Sequence, residues 1–452
     1  MSNAKGVSAS GHEHWGSRLA FVLAAAGSAV GLGNVWKFPY ITGENGGGAF
    51  VLVYLGCIAL IGLPILIAEI LLGRRGERSP IGALGNLARR EGRSPAWGLV
   101  GGLGMLGSFI ILSFYSIIAG WALSYIFASG MGTFTGADAD AVGAVFSELL
   151  ASPARLVGWH TAFMVMTTLV VARGVRHGLE RAVKLLMPGL VILLIVLIGY
   201  AATTNGFGAG IDFLFTPDFS RLSTSAVLVA LGHAFFTLSL GMGIMIAYGS
   251  YLSPQTSIAG TAVTVVILDT VIALLAGTAI FPIVFANDLT PGAGPGLIFQ
   301  TLPLAFGAMP GGVVFGTLFF VLLTFAAWTS TISLLEPTVE WLQERGRNRV
   351  TAALTAGLGV WALGLVSALS FNEWSEITLF GKGLFDLLDF LTANIMLPVT
   401  GLGVALFAGW AMSIASTREE LDVSPAIHRL WLVAIRFVAP VAVVVVFLYN
   451  LI

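Results

Sequence analysis

The sequence predicts an all-α polytopic membrane protein of eleven transmembrane helices. Three observations predict it: a composition too apolar for water, a series of stretches long enough to cross a bilayer, and basic residues gathered on one side of them. Of the 452 residues, 57% are hydrophobic and only 10% are charged, with a mean hydropathy of +0.92. Soluble domains carry about 25% charged residues, so most of this chain faces something other than water. The net charge of −1 gives no electrostatic reason to expect nucleic acid as a partner. A single cysteine, Cys57, lies in an apolar run and has no partner for an internal disulfide.

A hydrocarbon core of ~30 Å takes about 20 apolar residues per helix. Eleven stretches meet that rule: 18–41, 49–73, 97–128, 155–172, 181–202, 223–251, 257–286, 312–342, 350–369, 385–413 and 429–450. The stretch 296–309 is apolar but too short, and Pro295, Pro303 and Pro310 interrupt or bound it, so it reads as a re-entrant or surface hairpin. Residues 1–17 read as a polar cytoplasmic tail, with no cleavable signal peptide, so the first apolar run is retained as a helix. No linker separates domains, and 1–452 reads as one transmembrane domain bound in a lipid bilayer.

Charge placement tests this count, because cytoplasmic loops collect Lys and Arg. Of the 22 basic residues, only Lys37, Arg155, Arg221 and Lys382 fall on the opposite side; Arg74, Arg173, Arg345 and Arg418 begin the main clusters on the favoured one. Counting 296–309 as a span would invert every later loop. The N-terminus is therefore expected in the cytoplasm and the C-terminus outside it.

Two spans are not continuous aliphatic runs. Span 1 contains GSAVGLGN at 27–34, and span 6 contains FTLSLGMG at 236–243. Small residues often mean close helix packing. Packing accounts less well for an Asn beside glycines, or for a Thr and a Ser beside two more. An unwound segment frees backbone carbonyls and amides, which is tolerable only where they line a cavity or bind a ligand. Glycine-interrupted spans at corresponding places in two halves point to an inverted-repeat transporter. The halves are 18–202 and 221–413, with the eleventh helix at 429–452 outside them. Polar residues at mid-membrane also line pores, so an ion channel stays open as a reading from another class. An enzyme is not indicated: no H-E-x-x-H, nucleophile elbow or His–Asp pairing stands out, and His12, Glu13 and His14 read as tail residues.

Asp269 lies in VVILDTVI at 265–272, where an unpaired charge costs about 2.5–3.5 kcal/mol. An acid so placed is a candidate site residue. Glu69 is the other deep acid.

These residues together resemble the neurotransmitter:sodium symporter family, in its bacterial amino-acid branch. The resemblance rests on GSAVGLGN at 27–34, VWKFPY at 35–40, ENGGGAF at 44–50, Glu69, Gly73-Arg74, FFTLSLG at 235–241 and AAWTST at 326–331, and runs from about residue 12 to the end. It implies a 5+5 inverted-repeat fold with helices 1 and 6 unwound at mid-membrane. Family members often have twelve spans; this chain stops after eleven, with both repeats intact. It further implies a sodium-coupled symporter of neutral hydrophobic L-amino acids, working by alternating access in the cell (inner) membrane. Carriage of small polar or osmolyte-like substrates is the alternative within the family, disfavoured by an apolar wall.

The resemblance also implies particular residues. One sodium ion is expected at Ala29, Asn34, Thr237 and Asp269, completed by the substrate carboxylate. A second is expected at Gly27, Val30, Ala326, Thr329 and Ser330. The substrate pocket is expected at Ala29, Gly31, Gly33, Ile111, Tyr115, Phe236, Thr237, Ser239, Met242, Ser330 and Leu334, with Tyr115 on the carboxylate and Phe236 as a lid. Monoamine carriers of the family hold Asp where this chain has Gly31, and glycine leaves room for an amino acid's own carboxylate. Many relatives hold Asn where Asp269 stands and use chloride nearby, so chloride-independent transport is expected here, with proton counter-movement as a further possibility. Lys37 and Asp389 are expected as an outer gate, where relatives usually have Arg in place of Lys37; lysine cannot form the bidentate fork. Trp15, Ser250, Tyr251 and Glu344 are expected as an inner gate, with His12 standing where an Arg is usual. Glu69 is expected to support the unwound part of span 6, and His233 is either a vestibule hydrogen-bonder or a pH sensor.

Overall fold

The computed structural model describes residues 14–291 and 296–451. His12, Glu13 and Pro295 lie outside the described residues. Among the described residues nine helices are long and apolar enough to cross a membrane: Gly48–Gly76, Pro95–Gly130, Pro153–Ala172, Val175–Ala201, Ile258–Ala286, Gly312–Glu344, Arg349–Leu369, Leu384–Ala411 and Pro425–Tyr449. These fall in the expected intervals for spans 2 to 5 and 7 to 11. The first interval holds a pair, Arg18–Ala29 and Gly33–Glu44, bent by 47° at the break. The sixth holds Thr224–Thr237 and Ile244–Ser250, with no helix across 238–243.

The two breaks have local causes. Gly241 and Gly243 adopt φ of +75° and +72°, a region that costs a side-chain-bearing residue free energy but glycine little. Ser239 stands there too, at φ +54°, and its hydroxyl is used as described below. The amide of Gly241 finds no helical acceptor and donates instead to Glu69 Oε1 at 2.7 Å. Glu69 is fully buried in span 2, so a deep acid serves the backbone that the break exposes.

Spans 3 and 8 form the centre. They pack along one another, and 72% and 78% of their apolar windows are buried inside the protein, against 28% for span 11 at the rim. An apolar helix surrounded by protein must be apolar on all faces, which is why neither shows a useful amphipathic pattern. The half-helices of spans 1 and 6 lie against this pair. The 297–308 stretch forms the short helix Leu297–Ala308, one that does not cross, anchored where Tyr125 Oη donates to Phe299 O at 3.0 Å.

Several loop elements were not anticipated from the sequence. Helices Pro80–Arg90, Ala139–Ala151, Phe207–Phe215 and Ile414–Leu421 occupy the connections, and Thr378–Leu379 pairs antiparallel with Lys382–Gly383. These short helices rest on capping and docking rather than length. Asp138, for example, accepts from Ala141 N at 2.9 Å to start the second of them. Span 5 also begins earlier than the apolar run indicates, at Val175, and Arg176 Nε in its first turn donates to His14 O at 2.9 Å.

Candidate substrate and ion site

A small pocket sits between the two breaks and the central pair. It is lined by Ser28, Ala29, Gly31, Gly33, Ile111, Tyr115, Phe236, Ser239, Met242, Ser330 and Leu334, and it is nearly closed, with an accessible volume of about 20 Å³. A wider vestibule of about 320 Å³ opens above it between spans 1, 6, 10 and 11. Phe236 lines both, so its ring is the partition between them.

The structure brings together all the residues expected at the pocket except Thr237, which stands behind the wall in the oxygen cluster described next. Ser28 joins them, and sequence reasoning missed it. Its carbonyl accepts from Ser239 Oγ at 3.0 Å and Ser330 Oγ at 3.3 Å, and its own hydroxyl donates to Ser239 Oγ at 3.3 Å. Ser28 thus stitches the break in span 1 to that in span 6 and to span 8. The signal was available in the hydroxyl inside the first glycine run. Tyr115 Oη accepts from Leu32 N at 2.9 Å, which orients the phenol beside Gly31. A Cβ added at Gly31 would lie 2.3 Å from Ser330 Oγ and 2.7 Å from Tyr115 Oη. Any side chain here would have to push Ser330 or Tyr115 aside.

Beside the pocket, oxygens converge on Asp269. Its Oδ1 accepts from Asn34 Nδ2 at 2.8 Å and Thr237 Oγ1 at 3.0 Å, and its Oδ2 from Tyr54 Oη at 3.5 Å. Asn34 Nδ2 also donates to Asp269 O at 3.0 Å, which leaves Asn34 Oδ1 facing Thr237 Oγ1 at 3.3 Å and Gly31 N at 3.2 Å. Asn34, Thr237 and Asp269 are each almost fully buried. Ala29, the fourth residue expected there, lines the pocket at the break.

A second group forms between spans 1 and 8. Thr329 Oγ1 lies 3.4 Å from Val30 O and 3.0 Å from Ala326 O, and Ser330 Oγ lies 3.3 Å from Ala326 O. Gly27 faces the same place: a Cβ added there would meet Thr329 Cβ at 3.4 Å. Among the described residues no three His, Cys, Asp or Glu side chains gather as a metal cluster. Both groups are instead built of carbonyl, amide, hydroxyl and, in one case, carboxylate oxygens. That donor set suits a hard cation.

The expected gates are arranged differently from one another. Lys37 Nζ sits 4.6 Å from the centroid of the Phe236 ring, and no ion pair to Asp389 occurs among the described residues. The lysine weights the lid rather than bridging to span 10. On the basic face, Trp15 Nε1 donates to Tyr248 O at 3.0 Å and Trp15 N to Tyr251 O at 3.1 Å. Ser250 Oγ donates to Glu340 Oε1 at 2.6 Å and Tyr251 Oη to Glu336 Oε1 at 2.9 Å. Glu336 also holds Arg349 through two bonds of 2.6 and 2.5 Å. Glu344, by contrast, turns outward and accepts from Ser79 N at 2.7 Å and Ser79 Oγ at 2.8 Å, capping the helix Pro80–Arg90. Glu336, Glu340 and Arg349 were not singled out from the sequence, although the two acids are four apart and so share one helix face. His233 is buried between Phe38 and Tyr54, with ring centroids 6.1 and 5.3 Å away, at the edge of the vestibule.

The Glu336–Arg349 pair yields a prediction. Removing one member of a buried ion pair costs about 3–5 kcal/mol, and Glu336 is fully buried. Glu336→Gln is expected to lower the thermal unfolding midpoint of the purified protein by several degrees. An unchanged midpoint would show that the pair contributes nothing to stability.

A membrane-spanning bundle with two broken helices, a small central pocket and oxygen clusters beside it defines a secondary transporter rather than an enzyme. The chain belongs to the sodium:neurotransmitter symporter family, whose sequence pattern matches residues 12–139 and 151–452. It is 39% identical over 443 residues to YhdH, an uncharacterised sodium-dependent transporter of Bacillus subtilis, covering 97% of each chain. It is 36% identical over 446 residues to an uncharacterised sodium-dependent transporter of Haemophilus influenzae, covering 97% of this chain and 98% of the other. Among solved structures it is similar to MhsT in complex with L-phenylalanine, with a TM-score of 0.89 and 45% identity over 97% of this chain and 100% of that one. Sodium-dependent transport is thus the class of activity.

Proposed function

We propose that the protein is a sodium-coupled symporter of neutral hydrophobic L-amino acids, driven by two sodium ions and independent of chloride. The observation that carries this reading is the pocket itself. Its polar groups, Tyr115, Ser330 and the backbone of the span 1 break, gather around Gly31 at one end, beside the Asn34–Thr237–Asp269 cluster. Its other walls are Ile111, Met242, Leu334 and Phe236. In chemistry an α-carboxylate suits the polar end and an apolar side chain the rest. Met242 is flexible enough to admit side chains of several sizes. The bound L-phenylalanine of the similar MhsT structure supports the same class.

In this reading one ion shares the substrate carboxylate with Ala29, Asn34, Thr237 and Asp269, and the other rests on Gly27, Val30, Ala326, Thr329 and Ser330. The Asp269 carboxylate supplies the negative charge that chloride would otherwise provide. Spans 1, 2, 6 and 7 rock against the rest. Lys37 and Phe236 close above the substrate, and Trp15, Ser250 and Tyr251 close below it. The basic face is cytoplasmic, and the repeats are 18–202 and 221–413.

The ions link energy to transport. At ~100 mV, inside negative, one charge contributes about 2.3 kcal/mol, and a tenfold gradient adds about 1.4 kcal/mol. Two ions give roughly 7 kcal/mol, or about 10⁵-fold accumulation at the limit.

The test is uptake of radiolabelled leucine, phenylalanine and alanine into proteoliposomes, with sodium or potassium outside and chloride replaced by gluconate. Sodium-dependent, chloride-indifferent uptake of the larger apolar amino acids is expected. Chloride-stimulated uptake would overturn the role given to Asp269. Single-channel currents without substrate would overturn carriage in favour of a channel.

A further inference from the structure

Another cavity, of about 330 Å³, lies on the basic face between the start of span 5, the end of span 4 and span 8. Its mouth carries Arg173, His177 and Arg181, and its inner wall Leu185, Leu186 and Trp328. The neighbouring cations are already used. Arg176 is bonded to His14 O at 2.9 Å, and Lys184 is paired with Glu180 at 2.6 Å. The side chains of Arg173 and Arg181 have no hydrogen bond or ion pair among the described residues. Deeper in, Trp328 Nε1 is a buried donor that meets no acceptor there.

The fold builds this cavity rather than leaving it by chance. A Cβ at Gly178 would stand 2.0 Å from Val170 O and 3.2 Å from Arg173 Cβ, so only glycine lets the end of span 4 draw Arg173 over the opening. Leu185 is 72% exposed and lines the same cavity as the two uncommitted guanidinium groups.

We propose that this cavity binds one anionic phospholipid, its phosphate between Arg173 and Arg181 and an acyl chain along Leu185, Leu186 and Trp328. The charge is complementary, since guanidinium is the side chain best matched to a phosphate's oxygens. Position matches as well, because the cavity begins at the basic loops and runs inward along two spanning helices, as headgroup and tail do. An acidic peptide would find the mouth but not the apolar wall. A free phosphate would gain nothing from Leu185 or Trp328. The inner wall also backs onto the second oxygen group: Met187, next in sequence to Leu186, lies 3.3 Å from a Cβ added at Gly27, and Trp328 precedes Thr329. The assignment needs the membrane-spanning fold and does not depend on which amino acid is carried.

The test is native mass spectrometry of the purified full chain, delipidated and then titrated with phosphatidylglycerol or phosphatidylcholine. The wild type is expected to retain phosphatidylglycerol about twenty-five-fold more strongly, since each of the two basic groups near a membrane surface contributes about a factor of five. The double substitution Arg173→Gln with Arg181→Gln is expected to abolish that preference. A control removing two charges of the same face outside the cavity, Arg89→Gln with Arg347→Gln, is expected to keep it. Equal loss in the control, or undiminished retention in the cavity variant, would overturn the site. Displacement of the lipid by millimolar inorganic phosphate or glycerol phosphate would overturn the role of the apolar wall. Sodium-dependent binding of labelled amino acid in each variant shows that it is folded. Loss of that binding in the wild type would bear on the transport reading and leave the lipid assignment standing.

Discussion

Gly31→Ala is expected to reduce sodium-dependent uptake by about thirtyfold or more without removing the protein from the membrane. The alanine methyl would overlap Ser330 Oγ at 2.3 Å and Tyr115 Oη at 2.7 Å. Ser330 can turn aside only by leaving its carbonyl acceptor, Ser28 O or Ala326 O, and Tyr115 only by releasing Leu32 N. Two such bonds at about 1 kcal/mol each make a factor of about thirty, before the methyl's own occupation of the carboxylate end is counted. Gly158→Ala in span 4, where an added Cβ meets nothing within 4 Å, is the control and should transport like the wild type. Both variants can be compared by uptake and by the rise in unfolding midpoint when substrate binds. A Gly31→Ala protein that is stabilised by leucine or phenylalanine as strongly as the wild type would remove the pocket from this place.

Asp269→Asn is expected to cost more, and in an ion-dependent way. The substitution keeps the size of the side chain and its ability to accept from Asn34 and Thr237. It removes the negative charge. A unit charge pair at about 4 Å contributes about 4 kcal/mol at an effective dielectric near 20, so sodium affinity should fall by about a thousandfold in chloride-free medium. Chloride should restore part of it if an anion can take the place of the carboxylate charge. Isothermal titration of sodium binding, with gluconate or chloride as the anion, reads both effects. Wild-type sodium affinity in gluconate would mean that Asp269 serves only as a hydrogen-bond hub.

The spans were legible because crossing a bilayer is a local requirement. About 20 apolar residues suffice wherever the helix later packs, and the nine long helices and the bent pair fall in the expected intervals. The pocket was legible for a different reason. Glycines, an amide and hydroxyls are out of place in mid-membrane, and family resemblance assigned each a partner before any contact was known. What stayed hidden depends on which distant segments meet. Glu336 and Glu340 look like two acids at a helix end until Ser250 and Tyr251 from one part of the chain and Arg349 from another arrive on them. Glu344 lies two turns beyond Glu336 on the same helix, yet the loop helix Pro80–Arg90 claims it. Lys37 carries its charge to a ring rather than to Asp389, a choice between two neighbours that no spacing encodes.

Taken alone, the amino-acid sequence determined that this chain is a multi-pass bundle of long apolar helices and which two apolar stretches are interrupted, because each follows from the solvation of single residues and of the backbone beside them. Only the tertiary structure decided that Ser28 joins the two breaks, which carboxylates close the basic face, and that Arg173 and Arg181 stand uncommitted over an apolar cavity. Those facts are distances between parts of the chain far apart in sequence. They are set by how the helices pack, and packing is a property of the whole bundle.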